Sequence, residues 1–181
     1  FFYLTDDTLA LFSKNETDLF DLLGERIENK DLFLKKYGWY YSELMKRHYL
    51  IEKKFIKPIF KSQKEANNLD VDISKLKNCV LICNYSKSHL KNYRYRVLKY
   101  ILEAEKCVKA PQDCPTCKNR ISEASGRDWY MLGENLEIGD FIFPSNIGER
   151  YRLIDNRNAK VLIDKVNYNV KVKQEYKEYS D

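Results

Sequence analysis

The sequence predicts an α+β fold: a helical N-terminal part, then a twisted, mainly antiparallel sheet with one long helix at about residues 90–109. Two observations carry this. Apolar residues recur at helical spacing before residue 110. After residue 126 they fall instead into short strand-like runs separated by Gly, Asn and Asp turns. At 181 residues and 44% hydrophobic, the chain can bury a core and is too apolar for wholesale disorder. Residues 1–50 read as a helical connector or N-terminal part, and residues 51–181 as one domain.

In order along the chain, Phe1–Leu4 is a short strand candidate and Leu9–Phe12 a second apolar stretch. Asn15-Glu16-Thr17-Asp18 offers N-cap chemistry before Leu19, Phe20, Leu22 and Leu23. Lys30–Arg47 carries Leu32, Phe33, Tyr37, Tyr40, Tyr41, Leu44 and Met45 near helical spacing, interrupted by Gly38. His48–Phe60 is strand-like and broken by Pro58; Lys61–Asp70 is a polar loop. Cys79–Cys83 is a continuous apolar run, as expected of a strand buried on both faces.

Ser86 is placed to cap the long helix. Leu90, Tyr93, Val97, Tyr100, Ile101, Ala104 and Val108 share one stripe of it; Lys91, Tyr95, Lys99 and Lys106 lie on the other side. Ala110-Pro111 stops it. Beyond the cysteine loop, the strand candidates are Trp129–Leu132, Phe141–Pro144, Tyr151–Asp155, Lys160–Ile163 and Tyr168–Lys173.

Charge and cysteine usage narrow the function classes. The formal net charge is +5. Between Lys87 and Lys109 the bases are Lys87, Lys91, Arg94, Arg96, Lys99, Lys106 and Lys109, against Glu103 and Glu105 alone. Such a balance permits a nucleic-acid partner without demanding one, and the helix lysines read most simply as a solvated face. No run approaches the ~20 apolar residues of a membrane span. No secretory leader is evident, and the lack of an initiator Met suggests a piece of a longer protein. With no such leader, five cysteines argue against a disulfide framework and for a reduced, cytoplasmic protein.

Catalytic signatures are absent from the sequence: it has no G-x-G-x-x-G, no Walker lysine motif, and two isolated histidines, His48 and His89. Cys114-Pro115-Thr116-Cys117 has the spacing of half a zinc site, with Cys107 available as a third thiolate; the same four residues also make an ordinary turn with reduced thiols. Cys79 and Cys83 read as core. Lys118-Asn119-Arg120 and Arg127-Asp128-Trp129-Tyr130 combine bases with aromatics. Those bases can contact phosphates or guanine edges, while Trp129 and Tyr130 can equally begin a core strand.

The order of these pieces resembles a known family. Phe55-Ile56-Lys57-Pro58-Ile59-Phe60-Lys61, the Cys79–Cys83 strand and the helix with Tyr100-Ile101-Leu102 come first. Cys117-Lys118-Asn119-Arg120, Arg127–Leu132, Phe141-Ile142-Phe143-Pro144, Arg150-Tyr151 and Asn167-Tyr168-Asn169-Val170 follow. Over about residues 50–172 this series resembles the C-terminal specificity domain of TaqI-like adenine-N6 DNA methyltransferases of restriction-modification systems. The resemblance implies a non-catalytic α+β module that binds double-stranded DNA and selects the sequence methylated by a methyltransferase domain of the same polypeptide using S-adenosylmethionine. Two departures stand out. Ser62-Gln63-Lys64-Glu65 occupies the place of a Gly-Arg-Asp loop, and the catalytic Asn-Pro-Pro-Tyr tetrapeptide occurs nowhere.

The candidate DNA contacts are Lys61, Lys87, Lys118, Arg120, Arg127, Trp129, Asn146, Arg150 and Arg152, with Arg127 the expected base reader and Arg120 the expected phosphate contact. Cys107, Cys114 and Cys117 are the candidate ligands of a structural zinc. A zinc-stapled protein-interaction module and a free-standing RNA-binding protein are the alternatives.

Overall fold

The computed structural model describes residues 3–24, 27–108, 128–131, 136–145, 152–164 and 166–179. The fold is α+β, and the chain forms two compact units: residues 1–57 with 79–134, and residues 58–78 with 135–181. Residues 1–50 therefore share a unit with residues 51–57 and with the helices that follow residue 86.

In the first unit, β1 (Tyr3–Asp6) leads into three short helices, α1 (Thr8–Phe12), α2 (Glu16–Leu23) and α3 (Lys30–Lys36). Local chemistry sets their ends. The Asn15 and Asn29 side chains accept from the backbone N–H of Asp18 and Leu32, 2.8 and 2.9 Å away, satisfying donors that a helix start leaves free. Gly24 closes α2 in the left-handed conformation, φ 69°, where a Cβ would be strained.

The expected helix over Lys30–Arg47 ends at Lys36. Tyr37–Ser42 is a strand, β2, which forms an antiparallel hairpin with β3 (Arg47–Glu52). Its residues alternate: Gly38, Tyr40 and Ser42 are buried, while Tyr37, Trp39 and Tyr41 are half-buried. Aromatic residues at period two favour a pleated surface and override the looser helical spacing. Gly38, which interrupts the helical pattern, has its role here: a Cβ would collide with the Tyr40 phenol.

β4 (Ile56–Phe60) follows a 3-10 turn over Lys53–Phe55, so the strand-like run breaks there and not at Pro58, which lies inside β4. In chain order the second unit then contributes β5 (Ala66–Asn67) and β6 (Asp70–Val71). The chain returns to the first unit with β7 (Asn78–Leu81), α4 (Lys87–Asn92) and α5 (Val97–Val108). Strand order within the first unit is β7-β1-β2-β3.

The single long helix expected at 90–109 is thus two helices. Ser86 caps the first as anticipated, accepting from the His89 N–H. The break comes at Arg94, whose φ of 53° no right-handed helix tolerates. Neither Gly nor Pro marks this turn, so the helical wheel ran through it. α5 starts on a cap from another strand: the Glu52 carboxylate, 2% exposed, accepts from the Arg96 and Val97 N–H groups at 2.7 and 3.1 Å.

The first unit's main core joins Leu4, Tyr40, Ile51, Cys79, Cys83, Val97, Tyr100, Ile101, Trp129 and Tyr130 among others. A satellite cluster of Leu11, Leu19, Leu34 and Leu50 underlies the short helices. Trp129 and Tyr130 are core residues, but in a turn and not in the expected strand: the Met131 N–H donates to the Asp128 carbonyl.

The second unit closes with β8 (Phe141–Pro144), β9 (Ile154–Asp155), β10 (Leu162–Ile163) and β11 (Asn167–Val170). Its main sheet runs β11-β8-β9-β6-β5, and β10 pairs in parallel with β4. The Lys61–Asp70 segment, expected as a loop, carries the β5–β6 hairpin with Asn68 left-handed at its tip. Its core is small: Phe60, Val71, Leu76, Ile142, Ile154 and Val161.

A candidate nucleic-acid interface on the first unit

The end of α4, its turn and α5 build one surface. Val97, Tyr100, Ile101 and Ala104 point into the core, and the other side of α5 is left to solvent. There Lys91, Arg94, Tyr95, Leu98, Lys99, Leu102, Glu103 and Lys106 line an open groove of about 410 Å³. Four of these residues are cations. Among the described residues no ion pair involves Lys91, Arg94, Lys99 or Lys106, whereas Glu103 is held by Arg47 at 2.8 Å and accepts from the Tyr49 hydroxyl at 2.6 Å. The groove is therefore basic, its one carboxylate already compensated.

Aromatic rings adjoin it. His89 stacks between Tyr85 and Tyr93, with centroids 4.4 and 4.5 Å away; His89 lies within α4, Tyr85 just before its Ser86 cap and Tyr93 at its end. After the reversal at Arg94, Tyr95 comes back near-parallel to Tyr85 and Tyr93. The Lys54 ammonium sits 3.9 Å from the Tyr95 ring centroid and 5.6 Å from that of Tyr85. Tyr93, expected on the apolar stripe, is 65% exposed, because the stripe ends where the helix does.

The residues anticipated from sequence are distributed differently. Lys87 opens α4 and is paired with Glu105 at 2.5 Å and with Asp128 at 3.5 Å. Trp129, 7% exposed, donates its indole N–H to the same Glu105. The structure thus brings Lys87 and Trp129 together, in a polar cluster that ties the Asp128 turn to both helices. Burial would lower the Lys87 pKa, but its hydrogen bond and charge contact with Glu105, aided by Asp128, raise it, so the ammonium is secured in this cluster. Tyr130 belongs there too, donating to Asp128; burial first and that carboxylate second raise its pKa.

Lys61 and Arg152 lie in the second unit. The Lys61 N–H donates at 2.6 Å to the Glu65 carboxylate, which also closes a capping box with Ser62. The segment Ser62-Gln63-Lys64-Glu65 is a self-capped turn. Arg152 is exposed. Lys118, Arg120, Arg127, Asn146 and Arg150 lie outside the described residues, as do Cys114 and Cys117.

Cys107 is half-buried with a free thiol, and among the described residues no group of three or more His, Cys, Asp or Glu side chains could hold a metal. Cys79 and Cys83 are core thiols; burial pushes Cys79 up to about 12 and raises Cys83 as well. Among the described residues no helix is long and apolar enough to cross a membrane.

The basic segment is visible in the sequence, and the stack is not. The available signal was the spacing of Tyr85, His89 and Tyr93. What it could not supply was the reversal at Arg94 that returns Tyr95 to them. The chain matches no family model, no curated protein and no solved structure.

Proposed function

We propose that this chain is a DNA target-recognition module, of the kind found in TaqI-like adenine-N6 methyltransferases, that binds double-stranded DNA and confers sequence choice on a methyltransferase domain. Methyl transfer and S-adenosylmethionine belong to that partner domain; these 181 residues contain neither of the corresponding motifs. The observation that carries the reading is the groove formed by α4 and α5, with four cations that have no acidic partner among the described residues. Unpaired cations along a groove suit a phosphate backbone, which gains affinity by releasing condensed counterions. Arg127 and Arg120 keep their proposed roles as base reader and phosphate contact.

Salt dependence is the test. Duplex affinity should fall linearly with salt on a log-log plot. Lys99→Ala combined with Lys106→Ala should flatten that slope by about two units while weakening all duplexes alike. A wild-type affinity indifferent to salt, or a double variant with an unchanged slope, would remove this groove from the interface.

A further inference from the structure

We infer that the Tyr85–His89–Tyr93 column is a platform on which an unpaired DNA base stacks, with the adjoining strand held by Lys91 and Arg94; it rests on the DNA-recognition reading above. The ring geometry separates the outer end of this surface, His89 and Tyr93, from the core, which Tyr85 and Tyr95 meet edge to face through Phe55. Buried aromatic pairs in the same unit meet edge to face, with Tyr49–Tyr100 at 83° and Trp129–Tyr130 at 87°. That arrangement closes off ring faces. The surface rings are near-parallel instead: Tyr85–His89 at 18°, His89–Tyr93 at 29°, Tyr85–Tyr95 at 7° and Tyr93–Tyr95 at 20°. Parallel stacking leaves a π-face at the end of the column, and Tyr93 and Tyr85 are 65% and 41% exposed.

Tyr85 anchors the column, meeting the core residue Phe55 edge to face at 87° and accepting at its carbonyl from the Tyr130 hydroxyl, whereas His89 and Tyr93 belong to no core cluster. Its surroundings are cationic: Lys54 lies over the rings of Tyr85 and Tyr95, while Lys91 and Arg94 flank Tyr93 in the chain and line the groove. An aromatic face beside a basic track is the combination that holds single-stranded nucleic acid with little regard for base identity. In a protein of the proposed class it has a use, because chemistry on a base within a duplex requires that base to leave the stack and breaks its pairing.

The experiment is fluorescence anisotropy of the whole chain at low salt with three labelled DNAs. These are a thymidine single strand of about 12 nucleotides, an abasic strand of the same length and charge, and a duplex. The abasic strand should bind about tenfold more weakly than the thymidine strand, since the two carry the same charge and only the latter has bases to stack. Tyr93→Ala should abolish that preference while leaving the circular dichroism spectrum intact; Tyr93→Phe should retain it. Equal binding of the two single strands, or a preference surviving in Tyr93→Ala, overturns the platform. If duplex binding persists in that case, the recognition reading stands without it. Base-dependent single-strand binding lost in Tyr93→Ala, with no duplex binding, sustains the platform and overturns the recognition reading. No binding to any of the three overturns both.

Discussion

The two units are held together by different means. The first has strands of four to six residues and a twelve-residue helix, and buries large side chains against one another: Tyr40, Tyr49, Tyr100, Ile101, Trp129 and Tyr130. In the second, β5, β6, β9 and β10 are two residues each, too short for a regular ladder to satisfy much of the backbone. Side-chain amides substitute for the ladder. Asn156, fully buried, donates to the Gly139 and Val161 carbonyls at 3.1 and 3.0 Å and accepts from the Val161 N–H at 2.9 Å. Asn169 donates to the Glu137 carbonyl and accepts from the Gly139 N–H. Asp140 accepts from the Val172 N–H. The difference teaches that a small core can support irregular strands when each buried backbone group has a specific partner.

The sharpest way to break the comparison is Asn156→Ala. It strands three buried backbone groups at once, so it should cost about 3–5 kcal/mol. Hydrogen exchange would read the loss at Ile142, Ile154 and Val161, with α5 amides still protected. Uniform loss across both units would show that they unfold as one and that the distinction has no energetic meaning.

Glu52→Ala is the corresponding cut in the first unit, and a smaller one. It exposes no core but leaves the Arg96 and Val97 N–H groups without their carboxylate, at a cost of about 2 kcal/mol. Chemical denaturation should show it, and Glu52→Gln, which keeps an acceptor, should lose about half as much. Should the two variants be equally damaging, charge at the helix start matters and the acceptor alone does not.

The smallest effect is invisible at neutral pH. Tyr40 and Tyr49 have phenol pKa values raised above the ordinary 10.0, Tyr40 by burial and then the Asp6 charge, Tyr49 by burial and then its hydrogen bond to Glu103; Tyr130 is raised likewise. A raised value in the folded state means their contribution is complete below pH 10.0 and erodes as pH climbs towards the folded values. Tyrosinate absorbance should therefore lag behind full ionisation until the first unit opens, after which these phenols ionise together. A single smooth titration of all 14 tyrosines in folded protein would contradict their burial.

Much of the first unit was legible from residues alone. Asn15 and Ser86 announced helix starts, and Cys79–Cys83 announced a buried strand, because caps and continuous apolar runs are local signals. The Tyr37–Ser42 strand was missed because clustered aromatics fit either period until a hairpin partner selects one. In the second unit Phe141–Pro144 was legible as a strand, Tyr168–Lys173 overlaps the observed Asn167–Val170, and Tyr151–Asp155 and Lys160–Ile163 contain the shorter strands Ile154–Asp155 and Leu162–Ile163. Ala66–Asn67 and Asp70–Val71, two residues each in a polar stretch, carry no period at all.

The candidate site divides the same way. Sequence by itself determined the α+β class, the excess of bases between residues 87 and 109, the i, i+4 spacing of Tyr85, His89 and Tyr93, and the core identity of Cys79 and Cys83. These depend on composition and on neighbours within a helical turn or two. Tertiary structure alone decided that the helix breaks at Arg94, that Glu52 starts the next helix from 45 residues away, and that Glu105 claims Lys87 and Trp129 while Lys99 and Lys106 stay in a groove. Each of these is a choice among chemically equivalent partners. A lysine or a carboxylate carries the same charge wherever it stands, and only the folded chain fixes which opposite charge comes within reach.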